Sequence, residues 1–444
     1  MPDDRTTPAT GPEPRYGALG FREFRLLCLA QLTADFAANL QFFAVNWHVF
    51  ELLHGSALRV RLFGVEIALS GAAAGLGGVG LVRLFPIVLF GILGGVVADA
   101  LDRRQVMMWT RLGVAAIGFL LLAATAAGGT GIGLLYFVSA ATAALTAFDT
   151  PARHALIPLS VPARHLSHAI SLYSLAFRVS AIGAPLVGAV LIERLSIAAA
   201  YALMTASFAV PVWCVWATRL SRPGDAPRVK PGMAAFLEGL DFVRGRKELW
   251  ASFLVDFFTS CFTSVTVLLP VLAEVVFDAG VGGYGLLAAG QPLGAAVTGL
   301  ALTYWHRLRR QGSLLIACLA AYGAAAVLVG LSGWIYFAFV MLTVMGGVDT
   351  TSSMIRSLMR QELTPDALRG RVSSIALIFF RGGPRIGEMQ AGLAAAALGA
   401  PLAIVLGGLA TMAATALVVW RMPELLRYDA IEFHRSEGEP GGGA

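Results

Sequence analysis

The sequence has little charge. Asp, Glu, Lys and Arg together supply 14% of its 444 residues, whereas soluble domains contain about a quarter. A soluble chain of this length would need far more polar surface to cover its core. Hydrophobic residues supply 57% of the chain, and the mean hydropathy is +0.73. These proportions exclude a soluble domain, a disordered chain and a disulfide scaffold. They indicate an integral membrane protein.

Lysine and cysteine are also scarce. Although the net charge is +6, the only lysines are Lys230 and Lys247, which argues against a basic groove along a nucleic-acid backbone. We therefore expect no nucleic-acid partner. The cysteines lie far apart within apolar runs, without a CxxC pair, and are predicted to be small core residues; they are Cys28, Cys214, Cys261 and Cys318.

Sequence patterns of catalytic and cofactor chemistry are missing as well. We find no Gly-x-x-x-x-Gly-Lys-Ser/Thr loop for ATP, no nucleophile triad and no metal-ligand spacing. Three histidines of one loop, His154, His165 and His168, are interpreted as solvated rather than as metal ligands. We therefore expect a protein that is not an enzyme and that holds no cofactor and no metal.

Long apolar runs dominate what is present. A helix needs roughly 20 apolar residues to cross a bilayer, and twelve runs of about this length predict an all-α polytopic protein. They cover residues 24–48, 76–98, 106–127, 132–150, 169–192, 195–217, 249–273, 283–305, 313–331, 334–355, 372–394 and 400–420.

The basic residues predict the orientation of these spans. With a cytoplasmic N-terminus, 26 of the 33 Lys and Arg residues fall on the cytoplasmic side, including Arg25 and Arg111 near the cytoplasmic ends of their spans; three fall outside and four lie deeper within spans. Both termini are then cytoplasmic, and no apolar segment near the start is typical of a signal peptide. The expected location is a bacterial inner membrane, with the lipid bilayer as a partner.

The chain divides into two similar halves. Residues 1–23 and 423–444 are predicted tails, 24–218 and 249–422 are predicted six-helix bundles, and 219–248 is a predicted cytoplasmic linker. Short matches recur in chain order, with offsets of 203, 200, 206 and 221 residues: Phe177-Arg178 with Phe380-Arg381, Asp149-Thr150 with Asp349-Thr350, Arg103-Arg104 with Arg309-Arg310, and Asp35-Phe36 with Asp256-Phe257. The longer last offset places an insertion at 59–75 in the first external loop, which we interpret as re-entrant or surface-lying.

The loop after the second span resembles the signature of the major facilitator superfamily, Gly-x-x-x-Asp-Arg/Lys-x-Gly-Arg-Arg/Lys. Gly95, Asp99, Arg103 and Arg104 match it, whereas Ala100 and Asp102 depart from it. The segments Phe148–Pro158, Leu81–Pro86, Leu368–Val372 and Ile386–Gly392 are similar to the branch that includes enterobactin exporters. The resemblance implies two six-helix bundles and export of a small molecule coupled to protons.

A further segment, Gly183-Ala-Pro185-Leu-Val-Gly188, resembles the Gly-Pro-x-x-Gly helix-packing motif of proton-coupled exporters in the superfamily. The branch often has an arginine where this chain has Ala181. We hypothesise that Arg178, three residues earlier and on a similar face of the helix, has taken over its role.

Charged residues inside the spans are the candidate binding residues, because each costs about 2.5–3.5 kcal/mol to insert. Asp35 is ranked first as a proton-binding carboxylate, with Asn39 one turn away; the other members are Arg83, Arg178, Asp256, Arg381, Arg385 and Glu388. Structural ion pairs are the alternative for Asp35 and for Asp256. The face shared by Arg381, Arg385 and Glu388 is either a packing network or an anion site in which Glu388 titrates.

Two acid–arginine pairs at cytoplasmic helix ends, Asp149 with Arg153 and Asp349 with Arg356, are interpreted as gate residues or as helix-terminal charges. The sequence thus predicts a monomeric proton-coupled exporter of a small amphipathic molecule such as a siderophore, drug or metabolite. A uniporter or importer of the same fold, and a receptor or scaffold that transports nothing, remain open alternatives.

Overall fold

A computed structural model describes residues 17–62, 65–100, 103–154, 156–218, 233–304, 310–365 and 368–428. The elements of the first half are α1 (Arg22–Leu53), β1 (Ala57–Leu62), β2 (Val65–Ser70), α2 (Gly71–Ala100), α3 (Arg103–Ala126), α4 (Ile132–His154), α5 (Ile157–Ser160), α6 (Leu166–Arg194) and α7 (Ile197–Ala217). Those of the second half are α8 (Met233–Gly245), α9 (Lys247–Phe262), α10 (Leu269–Val271), α11 (Gly280–Tyr304), α12 (Gln311–Leu331), α13 (Ile335–Leu363), α14 (Arg369–Leu398), α15 (Ala400–Arg421) and α16 (Glu424–Arg427).

The predicted helical membrane architecture is confirmed. Within the described residues, ten helical segments are long and apolar enough to cross a membrane. Long helices also occupy the two remaining predicted positions, as α2 and α14, but they are not among these ten. The number twelve therefore stays a prediction.

Each half packs around its own first long helix. In the first half α1 contacts α2, α4, α6 and α7, while α3 packs between α4 and α7. In the second half α9 contacts α14 and α15, and α12 and α13 complete the bundle together with α11. The same arrangement of partners appears in both halves, as expected from the repeat in the sequence.

Among the described residues, the most extensive contacts between the halves are those of two helix pairs, α2 with α14 and α6 with α11. Glycine makes both contacts close, since a Cβ at Gly392 would lie 2.3 Å from Cα of Gly77, and a Cβ at Gly285 would lie 2.5 Å from Cβ of Ala189. Small residues permit such an approach between membrane helices. The rings of Phe43 and Tyr284 add a stacked contact between the halves, with centroids 4.2 Å apart.

The predicted insertion at 59–75 contains most of a β-hairpin and the start of α2, while its re-entrant or surface-lying position stays a prediction. Residues 57–62 and 65–70 form an antiparallel hairpin that pairs Ala57 with Ser70 and Arg61 with Glu66, and β2 contacts α14. Alternating apolar residues in Leu-Arg-Val-Arg-Leu and Val-Glu-Ile-Ala-Leu have the two-residue period of a strand. α2 consequently begins at Gly71, five residues before the predicted start.

Span seven is interrupted rather than continuous. α9 ends at Phe262 because Thr263 and Ser264 leave helical dihedral angles. A 3₁₀ turn at Val265–Leu268, α10 and a π-helical turn at Leu272–Val276 follow. Pro270 has no backbone N–H to continue the helical hydrogen bonds.

The chain ends are more structured than predicted where they are described. Gly17–Gly20 forms a 3₁₀ turn, and the amide of Ala18 donates to Nδ1 of His168 at 3.2 Å. His168 is nevertheless exposed, as expected, although it lies on α6 rather than in a loop. Residues 1–16 and 429–444 of the predicted tails, and 219–232 of the predicted linker, lie outside the described residues.

Candidate functional site

A cavity of about 300 Å³ lies where the two halves meet. It is bordered by α1, α2 and α4 of the first half and by α14 of the second. Its size is at the lower end of ligand pockets. Its walls combine apolar side chains with hydroxyl, amide and guanidinium groups, among them Gln41, Phe42, Arg83, Ser139, Thr142, Thr146, Phe380 and Arg385.

Two of the predicted arginines line this cavity from opposite halves. Arg83 of α2 lies over the ring of Phe42, with 4.8 Å from Cζ to the ring centroid. Arg385 of α14 forms an ion pair with Glu388 one turn further along the same helix. The structure therefore brings Arg83 of the first half near Arg385 and Glu388, which were expected to share a face of α14.

Two buried oxygen atoms beside the cavity have no hydrogen-bond partner among the described residues. One is Oε2 of Glu388, a residue that is only 6% exposed. The other is Oε1 of Gln41, whose Nε2 donates to Oγ1 of Thr142 at 3.0 Å. Buried acceptors without partners are costly, so a ligand or ordered water that donates hydrogen bonds would be favoured here.

A smaller cavity of about 60 Å³ adjoins the larger one inside the first half. Both are lined by Ala38, Thr142 and Thr146. Asp35, Arg111 and Asp149 also line the smaller cavity. Its polar lining and its volume suit a few water molecules, which would link Asp35 to the larger cavity.

Asp35 has polar contacts with residues one turn before it and one turn after it on α1. Its Oδ2 accepts a hydrogen bond from Nε2 of Gln31, and Oε1 of Gln31 accepts one from the hydroxyl of Tyr173 on α6. Asn39 donates to the backbone carbonyl of Asp35 at 2.8 Å, so it contacts the backbone of Asp35 and supports the position of the helix turn.

Arg111 is a site residue that our sequence analysis missed. We counted it with the cytoplasmic arginines, yet it is buried on α3 and donates to Oδ2 of Asp149 at 2.8 Å. Thr110 adds a hydrogen bond to Oδ1 of Asp149 at 3.3 Å. The position of Arg111 within the predicted span 106–127 was the signal that could have identified this residue, because charged side chains inside a membrane point inward or form pairs.

The acids of the second half share one arginine. Arg356, only 2% exposed, lies 2.7 Å from Asp256 and 3.8 Å from Asp349. The predicted association of Asp349 with Arg356 is thus seen as a contact, while the gate role stays a prediction. For Asp256 the geometry is that of the structural ion pair we gave as the alternative.

The predicted packing motif lies at the α1–α6 contact. A Cβ at Gly188 would lie 2.7 Å from Leu40 and 2.8 Å from Phe43, and Gly183 faces Phe36. The carbonyl of Pro185 lies 3.0 Å from a Cβ placed at Gly285 of α11. These three residues therefore lie where α6 meets both its own half and the other half.

Arg178 faces the other half, where it donates to the carbonyl of Ala295 and packs on Gly299 of α11. The hypothesis that it replaces the arginine expected at 181 stays a prediction. From the loop signature, Arg104 donates to the carbonyl of Trp216 at 2.7 Å and to that of Val215 at 3.2 Å. It thereby satisfies carbonyl groups at the end of α7.

Several predicted side chains lie outside the part of the chain that the structure describes, namely those of Asp99, Arg103, Arg153 and Arg381, as does the environment of Gly95. Where side chains are described, no group of three or more His, Cys, Asp or Glu could hold a metal ion. The described site thus offers guanidinium groups, carboxylates and amides, which can bind polar groups and exchange protons.

The sequence also matches known proteins. Residues 16–438 match the profile of the transmembrane secretion effector family of the major facilitator superfamily. The enterobactin exporter EntS of Shigella boydii serotype 4 (strain Sb227) is 25% identical over 353 residues, which cover 79% of this chain and 80% of that protein. The enterobactin exporter of Escherichia coli O1:K1 is 26% identical over 286 residues, covering 64% and 68% of the two chains.

Solved structures of transporters share the fold. The nucleoside transporter NupG has a TM-score of 0.67 at 11% identity, covering 92% of this chain and 100% of that one. A bacterial homologue of the human lysosomal transporter Spinster, inward-facing and occupied, has a TM-score of 0.69 at 14% identity, covering 94% and 100%. At these identities the likeness concerns the fold alone.

Proposed function

Since the chain belongs to the transmembrane secretion effector family of the major facilitator superfamily and is a multi-pass membrane transporter, we propose that it exports a small amphipathic molecule in exchange for protons. It works by alternating access, in which two six-helix bundles rock around a site between them. It lies in a bacterial inner membrane as a monomer with twelve spans and both termini in the cytoplasm. It performs no catalysis.

The adjoining cavities carry this proposal. The larger one is bordered by both halves, so any movement of one half against the other changes its shape. The smaller one reaches Asp35 within the first half. A substrate site and a proton site that have lining residues in common can influence each other without overlapping.

The larger cavity favours a substrate that carries anionic or hydrogen-bonding groups. Arg83 and Arg385 supply guanidinium groups, which bind planar oxygen pairs well. Phe42 and Phe380 supply apolar surface on which an aromatic ring could rest. The relatives named as enterobactin exporters support both the outward direction and a substrate of siderophore chemistry.

Asp35 serves as the proton-binding carboxylate. Protonation removes its charge and so changes the relative free energies of the two conformations. Protons that move down their gradient into the cell then drive substrate outward. Glu388 is the second candidate, because it is buried and one of its oxygens has no described partner.

Inside-out membrane vesicles test the proposal. Respiration acidifies their lumen, and a fluorescent dye reports the gradient while enterobactin, a lipophilic cation or an aromatic carboxylate is added outside. We expect one substrate class to dissipate the gradient with the wild-type protein and not with Asp35→Asn. Vesicles without the protein control for passive leaks, and Lys247→Gln, which removes the exposed ion pair with Glu424, controls for loss of a charge elsewhere.

The alternatives give different outcomes. A uniporter or importer would move the substrate without dissipating the gradient. A scaffold would give neither response, and Asp35→Asn would then have no phenotype. An equal response of wild type and Asp35→Asn would refute Asp35 as the proton site.

A further inference from the structure

Asp35 ends a short chain of hydrogen bonds that begins on another helix. The hydroxyl of Tyr173 on α6 donates to Oε1 of Gln31, and Nε2 of Gln31 donates to Oδ2 of Asp35 on α1. Gln31 and Tyr173 are both buried, whereas Asp35 lines the smaller cavity. The proton candidate is thus reached from the cavity on one side and is held by the chain of hydrogen bonds on the other.

The order of donors in this chain has a chemical consequence. An amide has one donating end and one accepting end. Because Tyr173 donates to the oxygen, the nitrogen of Gln31 must face the carboxylate. A hydrogen bond donated to an ionised carboxylate is about twice as strong as one between neutral groups, so this arrangement favours the ionised form of Asp35.

We propose that Gln31 and Tyr173 are positioning residues that hold Asp35 ionised and transmit its protonation to α6; this inference rests on the proposed function. A proton on Oδ2 of Asp35 meets the Nε2–H donor of Gln31. The hydrogen bonds reform when the amide rotates, so that Oε1 accepts from Asp35 and Nε2 donates to the oxygen of Tyr173. Proton uptake from the cavity therefore reverses the polarity of the contact between α1 and α6.

α6 is placed to pass this change to the other half. It contacts α1 and α11 along its length. Ser180 donates to the carbonyl of Leu32 on α1 at 2.7 Å, and Arg178 donates to the carbonyl of Ala295 on α11. A change in how α6 is held against α1 thus acts on a helix that also forms one of the most extensive contacts between the halves.

The other residues around Asp35 stay unchanged in the variants that test this proposal. Arg111 of α3 and Asp149 of α4 line the same cavity and form an ion pair with each other, while α7 contributes the apolar Phe208. Substitutions at Gln31 and Tyr173 leave these charges in place. A shift in the titration of Asp35 would then be due to the chain of hydrogen bonds.

The experiment is an infrared pH titration of the purified protein in lipid, which needs no knowledge of the substrate. The carboxylic carbonyl band that Asp35→Asn removes reports protonated Asp35. In Gln31→Met, which keeps the length of the side chain, we expect the midpoint to move to higher pH by about one unit, the effect of one hydrogen bond to a charged group. Tyr173→Phe should move it in the same direction by less.

Ser180→Ala is the matched control, because it removes a different hydrogen bond between α6 and α1. Its midpoint should equal that of the wild type. An unchanged midpoint in Gln31→Met, or an equal shift in Ser180→Ala, would overturn the proposed role of Gln31 and Tyr173 while Asp35 remained the proton site. If Asp35→Asn removed no band, Asp35 would not titrate, and the proposed function would fail together with this inference.

Discussion

Equivalent acidic residues have different side-chain partners in the two halves. Asp35 and Asp256 both precede a phenylalanine and lie on the first long helix of their halves. Asp256 forms an ion pair with the buried Arg356, whereas Asp35 accepts a hydrogen bond from the neutral amide of Gln31. In the second half Arg356 also lies near Asp349, while in the first half Arg111 donates to Asp149, the counterpart of Asp349.

The different partners of Asp35 and Asp256 should make it easier for one carboxylate to accept a proton than for the other. A carboxylate that faces a buried guanidinium must break a strong contact before it can accept a proton. A carboxylate that faces an amide and a water-sized cavity can exchange a proton at lower cost. The repeat has thus kept the acids in both halves with different partners, and under the proposed function the first half holds the acid that exchanges protons.

The largest effect that this comparison predicts is on stability, for Arg356→Ala. The substitution leaves Asp256 buried without its cation, and removing one partner of a buried pair costs about 3–5 kcal/mol. Thermal and chemical unfolding of the purified protein in detergent measures the loss. Lys247→Ala, at an exposed ion pair, should leave the stability almost unchanged. Wild-type stability in Arg356→Ala would remove the basis of the comparison.

A smaller loss is expected for Arg111→Ala in the first half. Asp149 keeps the hydroxyl of Thr110 as a donor and lies beside the smaller cavity, where water can replace the guanidinium. We expect a cost of about 1–3 kcal/mol, typical of a buried group that loses one partner. The same unfolding measurements test this expectation. A loss of stability equal to that of Arg356→Ala would show that the two halves depend equally on their buried ion pairs.

Much of this arrangement was predictable from the sequence. Hydropathy and charge placement predicted the membrane helices, and the short repeats predicted which acids correspond. Glycines of the packing motif could be placed because only small residues allow close helix contacts. The candidates Arg83, Arg385 and Glu388 followed from the cost of charge in a membrane, and they do lie together beside the larger cavity.

Other features were out of reach because they depend on contacts between distant segments. The partners of Asp35 and Asp149 are set by how α1, α3, α4 and α6 pack, and a sequence does not state which residues meet across helices. His48 illustrates this point: it is buried and its Nδ1 lies 3.0 Å from the hydroxyl of Tyr201 on α7, a partner that the sequence does not indicate. The hairpin at 57–70 was missed for a different reason, since its two-residue period was visible in the sequence.

The smallest expected effect on stability, and the sharpest test of the comparison, concerns Asp35→Asn beside Asp256→Asn. Asparagine at 35 keeps the shape of the side chain and can still accept a hydrogen bond from Gln31, so the cost should stay below about 1 kcal/mol. Asparagine at 256 removes the nearer carboxylate from Arg356, whose remaining acidic neighbour Asp349 lies 3.8 Å away, so Asp256→Asn should lower the stability more than Asp35→Asn does.

Transport driven by the proton gradient should show the opposite order. We expect Asp35→Asn to abolish transport and Asp256→Asn to retain it, when the rate is expressed per folded molecule. Parallel unfolding and vesicle assays on the two variants test both orders, and if Asp256→Asn abolished transport without loss of stability, the second half would hold the proton site.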